Sequence, residues 1–279
     1  NAALIEDYDH PRVDFDYAEG GRTLYSYDWS QRGFLRAVHL ALARELRSNL
    51  TIGLGLGLLS GEMSLASEES FIYAGYVIGD ERERDLSGFF LNAGLLWEPQ
   101  PSLSLGLAFQ APFDLKADST SALSFAPIGA GDGIVIRGSA SDKSRRPASI
   151  GAGAGWTVLR RLRLALDLTF LNWAAYEPSY FGEAKVRDFR DVLKLGAGIE
   201  YSPEIRLWGK RLTLPMRAGF IYDPQPMKSP RSAYRVWTVG AGAALERVSI
   251  DVGACLGSER GSGRNLKTAR VSASLGVRL

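Results

Sequence analysis

The stretch LRLALDLTFLNW, residues 162–173, decides the fold. Leu162, Leu164, Leu166, Leu168 and Phe170 share one parity, and Arg163, Ala165, Asp167 and Thr169 share the other. A period of two puts the two sets on opposite faces of a β-strand, whereas a helix would scatter both around its circumference. The pattern recurs at 50–60, where Leu50, Ile52, Leu54, Leu56 and Leu58 alternate with Thr51, Gly53, Gly55 and Gly57. It returns at 102–110, 191–201, 212–222, 248–257 and 270–279, so the chain reads as a succession of strands with one oily face.

A soluble sandwich would also alternate, and the connections discriminate. Glu45 to Asn49, Glu98 to Pro101, Arg160-Arg161, Ser202 to Arg211 and Glu246-Arg247 read as short turns. Residues 61–86, 116–146, 174–189, 223–234 and 258–267 read as long loops. Short turns on one rim and long loops on the other predict an all-β fold, a transmembrane antiparallel β-barrel of about twelve strands. The first of these strands is placed at 22–29 and the second from about residue 32, so the division is an N-terminal polar segment at 1–21 and a barrel at 22–279. On the outward parity, Trp97, Trp156 and Tyr201 fall near the short-turn rim, and Phe89, Phe170, Tyr222 and Trp237 near the other, as two interfacial belts require.

Composition narrows the chemistry. The 279 residues carry 33 basic and 31 acidic side chains with no block of like charge, so no nucleic-acid surface is indicated. One cysteine, Cys255, excludes an intramolecular disulfide, and two histidines, His10 and His39, are too few for most metal centres. The chain opens at Asn1 with neither an initiator methionine nor an apolar leader, which reads as a removed signal peptide or as a fragment.

EPQPSLSLGLAFQAPFDLK (98–116), RRPASIGAGAGW (145–156), LRLALDLTFLNWAAY (162–176) and LTLPMRAGFIYDPQPM (212–227), taken in this order, resemble the FadL family of outer-membrane transporters. Asn172-Trp173 ending one strand and Tyr222-Asp223 ending a later one add to the likeness, which runs from about residue 30 to residue 279. The resemblance implies a barrel in the bacterial outer membrane that carries long-chain fatty acids and other hydrophobic compounds. Two family features are missing: an N-terminal hatch with an Asn-Pro-Ala motif, and the family's barrel of about fourteen strands. Either residues before Asn1 are missing, with two strands among them, or the chain is a shortened relative.

The glycine repeats GLGLGLLSG (53–61), GAGAG (151–155), GAGIE (196–200) and GAGA (240–243) lie within strands on one parity. A phosphate loop needs its glycines at a strand-to-helix turn, so these read as small inward residues that leave room. His39 shares the inward parity of Ala37, Ala41 and Ala43, but no serine and acid are placed to form a hydrolase triad with it, and no enzyme is expected.

Sorted by height, the inward residues Arg163, Asp167, Lys194, Glu200, Asp251 and Arg278 form a polar lumen network, with Arg217 at the same depth. Toward the long-loop rim the parity carries Leu59, Phe90, Leu171, Trp173 and Ile221, which are expected to bind an apolar solute, with Arg217 taking its head group. Such a barrel needs no cofactor or energy source, because burying apolar surface at about 25 cal/mol per Å² drives the partition. The solute would enter among the long loops and leave sideways into the membrane. The partners expected are hydrophobic small molecules such as fatty acids and hydrocarbons, outer-membrane lipid and lipopolysaccharide, and no nucleic acid. A second reading is a structural or adhesive barrel with a plugged lumen, whose Lys143, Arg145 and Arg146 bind lipopolysaccharide or a surface partner.

Overall fold

Seventeen strands form a single sheet in the computed structural model, which describes residues 2–7, 9–129, 133–177, 188–207 and 209–277. In chain order they are β1 (Ala2–Asp7), β2 (His10–Glu19), β3 (Arg22–Arg47), β4 (Leu50–Phe71), β5 (Tyr76–Gln100), β6 (Leu103–Gln110), β7 (Phe113–Pro127), β8 (Ile134–Arg146) and β9 (Ser149–Leu159). They continue as β10 (Leu162–Leu171), β11 (Val192–Tyr201), β12 (Glu204–Leu207), β13 (Lys210–Thr213), β14 (Met216–Pro224), β15 (Ala233–Leu245), β16 (Val248–Arg260) and β17 (Lys267–Val277). Every pairing between them is antiparallel.

The count corrects the expectation of about twelve strands, or fourteen with an upstream pair, and the reason lies in interrupted strands. β1 and β2 pair with successive stretches of β3, and β6 and β7 with successive stretches of β5. Pro112 separates β6 from β7, and Pro147 separates β8 from β9; a proline supplies no N–H for the ladder. The turn placed at Ser202 to Arg211 holds a hairpin of its own, β12 against β13. Residues 22–29 are the start of the same strand that was expected from residue 32. The segment 1–21, expected to stand apart as a polar tail, contributes β1 and β2 to the sheet.

Two expected long loops are also strand. β4 and β5 stay paired from Leu50↔Trp97 to Phe71↔Tyr76, and β7 and β8 pair from Phe113↔Arg146 to Phe125↔Ile134. β3, with 26 residues, is roughly 85 Å long at about 3.3 Å per residue, whereas β10 and β11 have the 10 residues that a bilayer requires. The oily-face criterion stops where the membrane stops, because Ser60, Glu62, Ser64 and Glu68 replace leucine on the outward parity of β4. Backbone pairing continues regardless. The N-terminal half of the sheet therefore rises beyond the apolar belt as an extension.

Facing follows the sequence parity. Leu166, at 52% exposure, and Leu164, Leu168 and Phe170 are exposed, while the alternate residues of β10 line a recess. The buried cluster is Leu35, Ala37, Leu59, Leu86 and Leu115, with Met63, Phe90, Phe113 and Ala117 packed against it, all on the inward parity of β3, β4, β5 and β7. A structure whose exposed face is leucine and whose shielded face is largely small or polar suits a lipid solvent. Pairing of β1 on β3 runs from Phe34 to Val38, and β17 pairs with β16.

Candidate functional site

β10, β11 and β14 hold the polar end of the inward face. Arg163↔Glu200 and Glu200↔Arg217 are directly registered neighbours, so three charged side chains stand in one row across three strands. Arg217 Nε donates to Glu200 Oε2 at 2.6 Å, and Arg217 Nη1 to Asp251 Oδ1 at 2.6 Å. Ser202 Oγ donates to Glu200 Oε1 at 3.1 Å, and Lys194 Nζ lies 2.9 Å from Asp223 Oδ2. The carboxylates and the guanidinium around Arg217 remain 35–42% exposed, so each pair contributes only about 0.2–1 kcal/mol. The Arg217 guanidinium is thus balanced by two carboxylates at the edge of a recess.

That recess has a volume of about 470 Å³ and brings together Arg163, Asp167, Lys194, Glu200, Arg217 and Ile221, all of which the sequence nominated. Gly196, Gly198 and Gly219 form its floor between them. A second recess of about 450 Å³ lies between Ala41, Ala43, Gly53, Asn92, Ala108 and Gly151, and shares Thr169 with the first. The inward face is thus a run of small residues flanked by charge.

The other nominated residues lie elsewhere. Leu59 is 6% exposed within the buried cluster, and Phe90 packs against that cluster, stacked on His39 with 5.9 Å between ring centroids and tilted against Phe113 at 5.6 Å. Leu171 ends β10, and Trp173 begins a single 3-10 turn where it meets Tyr176 and Phe189 at 5.2 and 6.0 Å. The apolar cluster expected as one pocket is therefore three separate groups. Their places in the sheet decide this: Leu59 and Phe90 stand on the paired strands β4 and β5, Leu171 and Trp173 at the end of β10, and Ile221 on β14, and side chains on the same parity meet only when their strands are close. Arg217, expected to take a solute head group, is already engaged by two carboxylates. Arg278 lies outside the described residues.

His39 and Asn92 are the part that sequence reading undervalued. Asn92 Nδ2 lies 3.1 Å from His39 Nε2, and both side chains lie across the glycines of β4. A Cβ at Gly55 would overlap the Asn92 and His39 side chains, and a Cβ at Gly57 would overlap the Phe90 ring. The glycine repeat is thus the bed on which a polar pair and an aromatic ring lie flat, and the Gly-x-Gly spacing opposite His39 was its one signal. Gly57→Ala is expected to displace Phe90 from His39 and cost about 1–3 kcal/mol, whereas Gly94→Ala meets no atom closer than 3.6 Å and should cost less. Comparing unfolding midpoints of the two refolded variants checks this.

Exposed leucine rows on one face of the sheet and small, ion-paired residues on the other are the pattern of an outer-membrane β-protein. The chain belongs to the outer membrane protein transport protein family (OMPP1/FadL/TodX), whose profile matches residues 36–272, and its place is the bacterial outer membrane. Among solved structures it is similar to a Pseudomonas aeruginosa FadL homologue, at 15% identity and a TM-score of 0.66, covering 98% of this chain and 86% of that one. It is also similar to the CymD monoaromatic hydrocarbon channel, at 14% identity and a TM-score of 0.63, covering 95% of this chain and 80% of that one. The P. putida toluene transporter TodX gives 16% identity and a TM-score of 0.58, covering 98% and 76%. No curated protein sequence matches the chain.

Proposed function

We propose that the sheet closes into a barrel and passes hydrophobic solutes, long-chain fatty acids and monoaromatic hydrocarbons among them, from the cell surface to the outer membrane interior by partition alone. Closure would bring β17 beside β1 and β2, the two strands that pair with β3. The observation that carries this reading is the inward face, where two recesses of about 470 and 450 Å³ meet at Thr169 and are lined by glycines and alanines together with polar, charged and apolar side chains. Volumes of this size suit a single aromatic ring or a folded alkyl chain.

The extension offers a first contact for such a solute. Tyr25, Phe71, Tyr76 and Phe125 form a ladder on its inward parity, with ring centroids 5.2, 4.8 and 5.1 Å apart in succession. Between ladder and recesses stand the Phe90 stack and the buried cluster, where a solute would exchange water for apolar side chains. Leu59, Phe90, Leu171, Trp173 and Ile221 then act in sequence along a route rather than as one pocket, and release sideways into the bilayer is the step that leaves an oily molecule in an oily medium.

Equilibrium binding to the folded protein tests this reading. Toluene and a long-chain fatty acid are expected to bind wild type, with binding weakened about tenfold in Phe90→Ala, which removes a large apolar contact surface. Binding of neither class, or equal binding of a small sugar, would point to a plugged barrel or an aqueous pore instead.

A further inference from the structure

The outward face of the extension carries a group of cations immediately above the lipid-facing belt. Lys116 on β7 and Lys143 on β8 are directly registered partners, and Arg145 lies two residues from Lys143 on the same face. All three are exposed, while their inward neighbours Leu115 and Asp142 are buried. Like charges directly opposite one another destabilise a strand pair unless a counter-charge lies between them. The carboxylates nearest to them are Asp114, opposite Arg145 on β7, Glu177, bridged to Arg145 from the other side, and, one outward step above the lysines, Asp85 with its registered partners Asp118 and Glu62; Asp118 accepts a hydrogen bond from Ser141 Oγ at 2.6 Å. Among the described residues none of the three cations is held in an ion pair.

Register places this patch against the membrane surface. Lys116 pairs with Ser87, two residues before the outward Phe89, which is 59% exposed. Below it the outward positions are Phe109 on β6 and Ile150 on β9, themselves registered partners. The face thus changes from apolar rings to paired lysines over a few residues, as a lipid changes from acyl chain to charged head group. Arg146, nominated with its two neighbours from the sequence, has the inward parity and is not part of the patch.

We propose that Lys116, Lys143 and Arg145 form a docking site for the phosphorylated head group of lipopolysaccharide in the outer leaflet. The two ammonium groups approach one phosphate as point charges, and the Arg145 guanidinium offers a planar fork to the same or a neighbouring phosphate. The acyl chains below lie along Phe89, Phe109 and Ile150. The site rests on the outward face being the lipid face and is independent of what the lumen carries.

The test measures binding of bisphosphorylated lipid A, and of the same lipid A after dephosphorylation, to folded protein in mixed micelles. Three proteins are compared: wild type, the patch variant Lys116→Gln/Lys143→Gln/Arg145→Gln, and Arg206→Gln/Arg211→Gln/Arg247→Gln, which loses equal charge at the short-turn rim. Bisphosphorylated lipid A is expected to bind wild type and the rim variant at least about tenfold more tightly than the patch variant, equivalent to about 1.4 kcal/mol. Dephosphorylated lipid A should bind all three equally weakly, and Lys116→Arg/Lys143→Arg should retain binding. Should the patch variant fold poorly, Lys143→Gln alone should still weaken binding. Equal binding by patch variant and wild type, equal losses in both triple variants, or wild-type binding indifferent to the phosphates would overturn the proposal. Displacement by millimolar inorganic phosphate would assign the patch to the free anion and overturn it too. Loss of membrane insertion by wild type would instead indict the lipid-face assignment on which the site rests.

Discussion

Leu166→Arg is expected to destabilise the folded protein by about 2–4 kcal/mol, the cost of an arginine on the lipid face near mid-bilayer. Leu166 sits at the middle of β10, registered with Ala154 on β9 and Ala197 on β11, so its outward neighbours are methyl groups that offer a guanidinium nothing. Either the side chain snorkels along the strand or the bilayer thins around it. Thr169→Arg changes the opposite face, where Asp167 lies two residues away and the recess is polar, and should cost less. Folding titrations in lipid vesicles compare the two, and equal costs would mean that the facing of the whole sheet is wrong.

Gly198→Trp is expected to lower uptake of an aromatic solute by about tenfold or more, because the indole would fill much of the recess that a solute ring needs. Gly198 lies on the recess floor in β11, and the nearest atom to a Cβ built there is Ala218 O at 3.7 Å, so the substitution meets space rather than backbone. Ala152→Trp puts the same bulk on the exposed outward face of β9 and should leave uptake unchanged. Uptake rates measured on refolded, reconstituted protein distinguish the two. A matched loss in both variants would trace to folding, and no loss in either would remove the recess from the route.

Periodicity carried the fold a long way. The alternation gave the facing of β10 from Arg163 to Phe170, since a period of two leaves one degree of freedom once one face is known to be oily. The row Arg163, Glu200 and Arg217 was legible for the same reason: inward charges on neighbouring strands must find one another. Beyond the membrane that signal vanished. Ser60 to Phe71 carries polar residues on its outward parity and mixed ones on the other, so it reads as loop although its backbone is paired throughout. The site was less legible than the wall, because parity gives the face of a residue and not its partner. Trp173 and Phe90 share a face and a rough height, yet Phe90 belongs to the cluster around Leu59, and Trp173 to a turn with Tyr176 and Phe189. Which inward side chains meet depends on which strands pair and on breaks such as those at Pro112 and Pro147, and neither is written in the alternation.

The most direct measurement is solute uptake into cells that lack their own hydrophobic-solute transporters and express this protein in the outer membrane. Labelled toluene and a labelled long-chain fatty acid should enter faster than in cells without it, with saturation at high solute, while entry of a small sugar should stay at the background rate. Acceleration of the sugar to the same degree, or no acceleration of either hydrophobic solute by protein that is folded in the membrane, would contradict transport of hydrophobic compounds.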